Sequence, residues 1–423
     1  MLTSAEASVL AAIDEAAVFR TLLDLIVIPS VTGSAAESEI QHHLAGHLDR
    51  LGLDVDLWSM DLPGLRAHPD FPGAEAPREE AWGLVGRSAE QEGGDGPTLV
   101  LQGHVDVVPP GDPAAWAGDP FVPRVAGDVV HGRGACDMKA GLAAQLAVLE
   151  AIRAAGVRLR GRVAAHFVVG EEDGGLGAFG TLQRGHRGDA CVIAEPTAGT
   201  LVTANAGALT FRLTVNGRSA HGSSRDEGVS AIDAYLPLHR ALSRLEADRN
   251  RDPHPLMAEY PIPYALSVGT VRSGDWASSV PDLLVAEGRF GVRLGEDPAV
   301  ARAAFERCVA EVCAGDPWLR DHPVEVTWPG GQFASGRLPE GHPLPEVIRA
   351  AHADAGGGPG LRERGASYGS DLRLYAGAGI PTLQFGPGDI QVAHSAREQV
   401  SVSEVAATAR TLALTVLRTV GVK

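Results

Sequence analysis

Three apolar runs, at 98–102, 163–169 and 190–194, each lead into an imidazole or a carboxylate. In "TLVLQGHVDVVP" (98–109) the run closes on His104 and Asp106. Side chains at i and i+2 of a strand point the same way, so these two are aimed together. A helical pattern from Met138 to Ala154 separates the first two runs. Strands alternating with helices predict an α/β sheet with helices on both faces. Ligands of such sheets bind beyond the carboxyl ends of the strands. The chemistry of this chain is therefore expected at those ends.

The rest of the first half fits this scheme. Ile40, Leu44, Leu48 and Leu51 recur at helical spacing, and Gly52 is a natural stop. "MLTSAEASVLAAIDEAAVF" reads as one amphipathic helix, not a signal peptide, because no basic segment precedes an apolar core. The Pro/Gly-rich stretch within 53–82 reads as an irregular surface loop. Near residue 206 the pattern changes. "LTFRLTVNG" alternates like a half-exposed strand, and a helix over 228–247 with Pro237 inside follows. Then come "YALSVGTVRSG", "LLVAEGRFGVRL" and a helix that starts at Asp297-Pro298 and runs to Ala314. That order predicts a small α+β sandwich. After 330 the α/β style returns with "PTLQFG" and a closing helix. The expected organisation is a catalytic domain over 1–205 and 331–423, interrupted by an inserted domain over 206–330.

Composition bounds the partners. The 423 residues carry a formal charge of −17, which disfavours nucleic acid and anionic membranes. No run of about 18 apolar residues predicts a membrane span. The four cysteines, Cys136, Cys191, Cys308 and Cys313, are scattered and form no C-x-x-C pair, so a reducing cytoplasm is expected.

Five places put acidic or imidazole groups where a strand ends. They are His104 with Asp106, Asp137 in "GRGACDMKAG", Glu171 and Glu172 in "VVGEEDGG", Glu195 in "VIAEPT", and His394 in "FGPGDIQVAHSAREQV". Imidazole nitrogen and carboxylate oxygen suit Zn²⁺, and a catalytic zinc keeps a position open for water. Two ions about 3.5–4 Å apart can share a bridging carboxylate and hold the attacking hydroxide. The Glu171-Glu172 pair then divides, one carboxylate binding metal and the other serving as general base.

In this order the five motifs resemble the co-catalytic dizinc aminoacylase and peptidase family of acetylornithine deacetylase and succinyl-diaminopimelate desuccinylase. The resemblance covers nearly the whole chain. It implies a mixed-sheet, zinc-exopeptidase-like catalytic domain with an inserted ferredoxin-like α+β lid and dimerisation domain. It implies that His104 binds one ion, with Asp106 orienting its ring. Asp137 would bridge both ions, Glu195 would complete the first, and Glu172 and His394 would hold the second. Glu171 would be the general base. His221 in "GRSAHGS" is similar to a histidine supplied by a dimer partner to the oxyanion. Arg293 in "GRFGVRL" is similar to an arginine that grips a substrate carboxylate. Ser370 in "YGSDLRLY" and Gly386 and Gly388 in "GPGD" would contact substrate. Zinc is the expected metal, with Co²⁺ or Mn²⁺ as alternatives.

Glu at position 195 leans toward N-acyl amino acid hydrolysis, since relatives of the aminopeptidase type tend to carry Asp there. An acetylornithine deacetylase-like amidohydrolase is the expected activity, acting through a metal-bridging hydroxide on a small amide. The stretch 246–276 and "YGSDLRLY" also resemble formylaminopyrimidine deformylases of thiamin salvage, and a dipeptidase or carboxypeptidase is a third reading. A non-catalytic scaffold would have lost ligands or the base, and this chain keeps all six. Asp137 could instead be a helix cap, and Glu171-Glu172 a solvated turn. Cys136, Cys308 and Cys313 read as small core residues. His42, His43 and His47 read as a solvated helix face, and His166 has no evident partner.

Overall fold

The computed structural model describes residues 1–89, 96–358 and 360–423. The chain forms two compact units. The first comprises Met1–Thr203, Arg337–Arg364 and Leu374–Lys423, and the second Ala204–Gly336 and Gly365–Arg373.

The first unit is built on a mixed sheet. Its strands lie in the order Asp54–Ser59, Trp82–Arg87, Arg162–Val168, Thr98–His104, Ala190–Pro196, Thr382–Gly386. The last four of these are mutually parallel, with Gln102 opposite both His166 and Ile193, and Thr382 opposite Cys191. Trp82–Arg87 runs antiparallel to both of its neighbours, and Leu201–Asn205 pairs antiparallel with Thr382–Gly386. Because the four central strands point one way, their carboxyl ends share one edge. The burial patterns explain why they are central: Ala190–Pro196 is buried throughout, and Thr98–His104 throughout except at its first residue. Strands covered on both faces read as continuous apolar runs.

Helices Lys139–Ala154, Val402–Val420 and Glu15–Ile26 bury Leu142, Leu146, Leu412, Val416, Leu22 and Ile26 in the main core. Helix Lys139–Ala154 approaches the sheet closely at Gly141. A Cβ there would stand 2.2 Å from the carbonyl oxygen of Ala194, so only glycine fits beside the strand that carries Glu195. Helix Ala35–Arg50 ends as expected, with Gly52 in the left-handed region at φ +76°.

One expectation is corrected. The N-terminal segment is two helices, Ser4–Ala11 and Glu15–Ile26. Asp14 separates them, because its side chain accepts from the amides of Ala16 and Ala17 and starts a new helix. The Pro/Gly-rich piece 61–80 is irregular except for helix Leu62–Ala67, capped by Asp61, and strand Asp54–Ser59 precedes it. "DVDLWS" lies half-exposed at a sheet edge, which hides the apolar signal of a strand.

The second unit is an antiparallel sheet in the order Leu266–Ser273, Leu283–Val292, Gly207–Asn216, Glu325–Thr327. Helices Ala231–Arg249 and Pro298–Gly315 pack on it over Phe211, Leu213, Leu238, Phe290 and Phe305. Pro237 lies inside the first helix, and Asp297 caps the second. The observed succession of strand, helix, two strands, helix and strand is the α+β arrangement expected. No helix among the described residues is long and apolar enough to cross a membrane.

One buried group gives the first unit a pH signature. His166 is 1% exposed, its Nδ1 lies 2.9 Å from the Tyr375 hydroxyl, and burial pushes its pKa down to about 3. A base with a depressed folded pKa contributes stability above its unfolded pKa, about 6.5, and loses it as pH falls toward 3. We expect this group alone to cost about 1.4 kcal/mol per pH unit over that window. Urea unfolding of the wild type and His166→Phe between pH 7 and pH 4 checks this. Equal pH slopes in the two proteins would refute the assignment.

Candidate metal centre

The shared carboxyl edge of the four parallel strands gathers the predicted side chains. His104 ends its strand, Glu195 stands next to last in the neighbouring one, and Glu171 and Glu172 lie in the turn after Val168. Asp137 precedes helix Lys139–Ala154, and the Asp137–Met138 peptide is cis. His394 follows the strand Thr382–Gly386 and sits at φ +57°, a left-handed conformation that costs a non-glycine residue energy.

The contacts fall into two groups, one around each imidazole, that share Asp137. His104 Nε2 lies 3.1 Å from Asp137 Oδ1 and 3.6 Å from Glu195 Oε1. Across the site, His394 Nε2 lies 3.3 Å from Asp137 Oδ2 and 3.1 Å from Glu172. The two oxygens of Asp137 thus face two different imidazoles. Donor atoms of His104, Glu171 and Glu195 lie within 4.8 Å of one another, and so do those of His104, Asp137 and Glu172. Both adjacent glutamates thus reach toward His104, Glu171 together with Glu195 and Glu172 together with Asp137.

Asp106 is fully buried beside His104. His104 Nδ1 contacts the Asp106 carbonyl oxygen at 2.8 Å, while the carboxylate stands 3.6 Å away. The carboxylate accepts instead from the amides of Glu171 and Glu172, each at 3.2 Å, and from the Thr32 hydroxyl at 3.0 Å. It clamps the turn that presents both glutamates.

The electrostatics describe a site with surplus negative charge. Burial alone would lower the His104 pKa, but Glu195, Asp137 and Asp106 outweigh it and hold it well above its usual value. Hydrogen bonds to Asp137 and Glu172 push His394 up to about 11. Burial, then the charge of Asp137, raises Glu172. Burial opposes the ionisation of Asp137, yet its bonds to His104 and His394 hold its pKa below the usual carboxylate range. Buried carboxylates on this scale need cations to offset their lost hydration. Imidazole nitrogens and carboxylate oxygens at these spacings fit divalent metal ions.

Sequence reasoning missed the supports of the site. Glu37 accepts from the amides of Gly33 and Gly170, and Arg78 bridges toward Glu37 and Asp173, beneath the Glu171 turn. Glu398 accepts from the amides of Cys136 and Asp137. Lys139 is fully buried with Nζ donating to the Ile28 carbonyl, and burial pushes its pKa down to about 7. A charged residue in a polar stretch carries no periodic mark of burial, so none of these was visible.

Gly386 and Gly388 act by close approach. A Cβ at Gly386 would stand 2.1 Å from the Ala194 carbonyl oxygen, and Gly388 has φ +92°. Their carbonyls accept from the amides of Thr197 and Ala198, and the Gly388 amide donates to Glu404. These bonds are internal, not held open for a ligand.

The other expected residues lie in the second unit. His221 is exposed, with Nδ1 2.7 Å from the Ser223 hydroxyl. Arg293 directs Nε and one terminal nitrogen to the carbonyls of Arg249 and Asp248. Ser370 is buried, and its hydroxyl accepts from the Leu372 amide. Arg289, four residues before Arg293, donates to the Ser367 carbonyl and was not singled out from the sequence.

Known proteins match this arrangement. The chain is 25% identical over 412 residues, 92% of its length and 91% of the relative's, to N-formyl-4-amino-5-aminomethyl-2-methylpyrimidine deformylase of Halalkalibacterium halodurans. It is 31% identical over 398 residues, 90% of each protein, to succinyl-diaminopimelate desuccinylase of a Methylobacterium species. A tripeptidase structure from Staphylococcus aureus superposes with a TM-score of 0.74 at 23% identity, over 96% of this chain and 99% of that one. The profile of Peptidase family M20/M25/M40 matches residues 100–418, a span that contains all five strand-end motifs. The chain belongs to that family and is a metal-dependent hydrolase of amide bonds.

Proposed function

We propose that this hydrolase cleaves the amide of a small N-acyl amino acid, of the acetylornithine type, to a carboxylic acid and a free amine. The observation that carries the proposal is Asp137, whose two oxygens face His104 and His394 while Glu171 stands with His104 and Glu195. His104, Asp137 and Glu195 would hold one ion, and Asp137, Glu172 and His394 a second. Bound there, two divalent ions supply a nucleophile at neutral pH and polarise the substrate carbonyl.

The chain's own residues do the rest. Glu171 takes a proton from the attacking water and returns it to the leaving nitrogen as the C–N bond breaks. Asp106 holds Glu171 and Glu172 in place through their amides. His221 donates to the oxyanion that forms on the carbonyl. Arg293, with two of its nitrogens already committed to carbonyls, offers the remaining one to a substrate carboxylate. Ser370, Gly386 and Gly388 would contact the substrate. Zinc is the preferred metal, with cobalt and manganese able to use the same donors. A homodimer formed through the second unit and a cytoplasmic setting complete the reading. The free cysteines accord with the latter.

A second reading is deformylation of an N-formyl aminopyrimidine, favoured by the Halalkalibacterium relative that matches over 92% of this chain. Assay of the zinc-loaded protein on N-acetylornithine, N-succinyl-diaminopimelate, an N-formyl aminopyrimidine and several dipeptides separates the two. We expect kcat/KM for an N-acyl amino acid to exceed the others by about tenfold or more, roughly 1.4 kcal/mol in transition-state binding. Preference for the formamide installs the second reading. Turnover of dipeptides alone overturns both.

A further inference from the structure

We propose that Glu398 is a positioning residue that fixes Asp137 against His394 and thereby sets the affinity of the site for its second metal ion. The proposal rests on the metal reading above. Glu398 lies four residues after His394 and is 1% exposed. One of its oxygens accepts from two consecutive amides, Cys136 and Asp137, each at 3.2 Å. Its other oxygen pairs with Arg133. Arg133 in turn sits 5.1 Å over the Trp116 ring and reaches the Pro109 carbonyl at 3.4 Å. The Glu398 backbone joins the same tie, since its carbonyl accepts from the Gly132 amide at 3.3 Å.

Glu398 therefore bolts two loops together. One is the glycine-rich loop that ends in Asp137, where Gly134 takes φ +80°. The other is the segment after Thr382–Gly386 that carries His394. Neither loop holds regular structure at its metal-facing residue, so the 3.3 Å spacing of Asp137 and His394 depends on what joins them. A charged acceptor taking two amide bonds is a strong and directional tie. Outer groups of this kind orient the side chains that face a metal, and losing one typically costs about 10–100-fold in metal affinity.

The test compares zinc affinity, by competition with a chromogenic chelator, in the wild type, Glu398→Ala, Glu398→Gln and Arg133→Met. Circular dichroism and thermal unfolding report the fold of each. Glu398→Ala is expected to bind its second zinc about 10–100-fold more weakly. Glu398→Gln keeps an oxygen for the two amides and is expected to stay within about threefold of the wild type. Arg133→Met leaves the Glu398 amide bonds intact, so its unfolding temperature falls while its zinc affinity holds. If Glu398→Ala is folded and binds both ions like the wild type, the proposal is wrong. It is equally wrong if Arg133→Met weakens zinc as far as Glu398→Ala does, or if Glu398→Gln fails to retain it. Should Glu398→Ala not fold, the other two variants decide. Wild-type protein that takes up fewer than two zinc ions overturns the metal reading itself, a different result from these.

Discussion

Glu171→Gln is expected to lower kcat by about 10³-fold while the protein still takes up two metal ions, and Glu172→Ala is expected to lose one of them. The two glutamates are neighbours in sequence, yet their partners differ. Glu171 goes with His104 and Glu195, Glu172 with Asp137 and His394. Asp106 makes this split rigid by accepting both of their amides. A group that only carries a proton is worth roughly 10²–10⁴ in rate, so a Gln that keeps the shape but not the basicity removes that factor and little else. Metal content measured beside kcat on the same preparations decides the matter. If Glu171→Gln loses an ion, Glu171 is a ligand rather than the base. If it keeps more than about a tenth of the activity, another group moves the proton.

What could be read beforehand followed from burial pattern. The four parallel strands are covered on both faces, so they stand out as apolar runs, and parallel register forces their ends to one edge. His104, Glu171, Glu195 and His394 became candidates on that logic alone. The outer strand Asp54–Ser59 could not be read the same way, because its half-exposed "DVDLWS" looks like a polar loop. Nor could the uses of buried polar groups. His42 and His43 are exposed, as a solvated helix face should be, but His47 on the same helix is half-buried and bonds Glu150 at 2.7 Å. Arg78 came from a Pro/Gly-rich stretch, yet it is 7% exposed between Glu37 and Asp173. Asp106 was legible as a helper of the site, but not that its carboxylate would serve the glutamate turn while its carbonyl served His104. Sequence spacing fixes which face a side chain occupies. It does not say which of several nearby donors will claim it, since that depends on loops whose paths have no period.

Asp137→Ala is expected to lose high-affinity binding of both ions, with activity falling below detection. Among the described residues Asp137 sets one oxygen against each imidazole, at 3.1 and 3.3 Å, so its loss opens both sides at once. The variant also has a signature that needs no turnover. In chelator-treated protein, Asp137 is the first cause of the raised His394 pKa, about 11, with Glu172 second. A base with a raised folded pKa stabilises the fold fully below its unfolded pKa, near 6.5, and that contribution disappears as pH climbs through the folded value. The His394 contribution in the metal-free wild type should therefore fall from about pH 6.5 toward pH 11, and metal-free Asp137→Ala should lose less of it, a difference between the two proteins in which the opposing titration of Lys139 cancels. Glu172 remains to hold part of the shift, so the difference is a reduction, not a loss. Histidine titration by NMR and urea midpoints across that window measure it. An unchanged His394 titration in the variant would show that Asp137 does not govern the second imidazole. The two groups of contacts would then be independent sites, not one site joined at a single carboxylate.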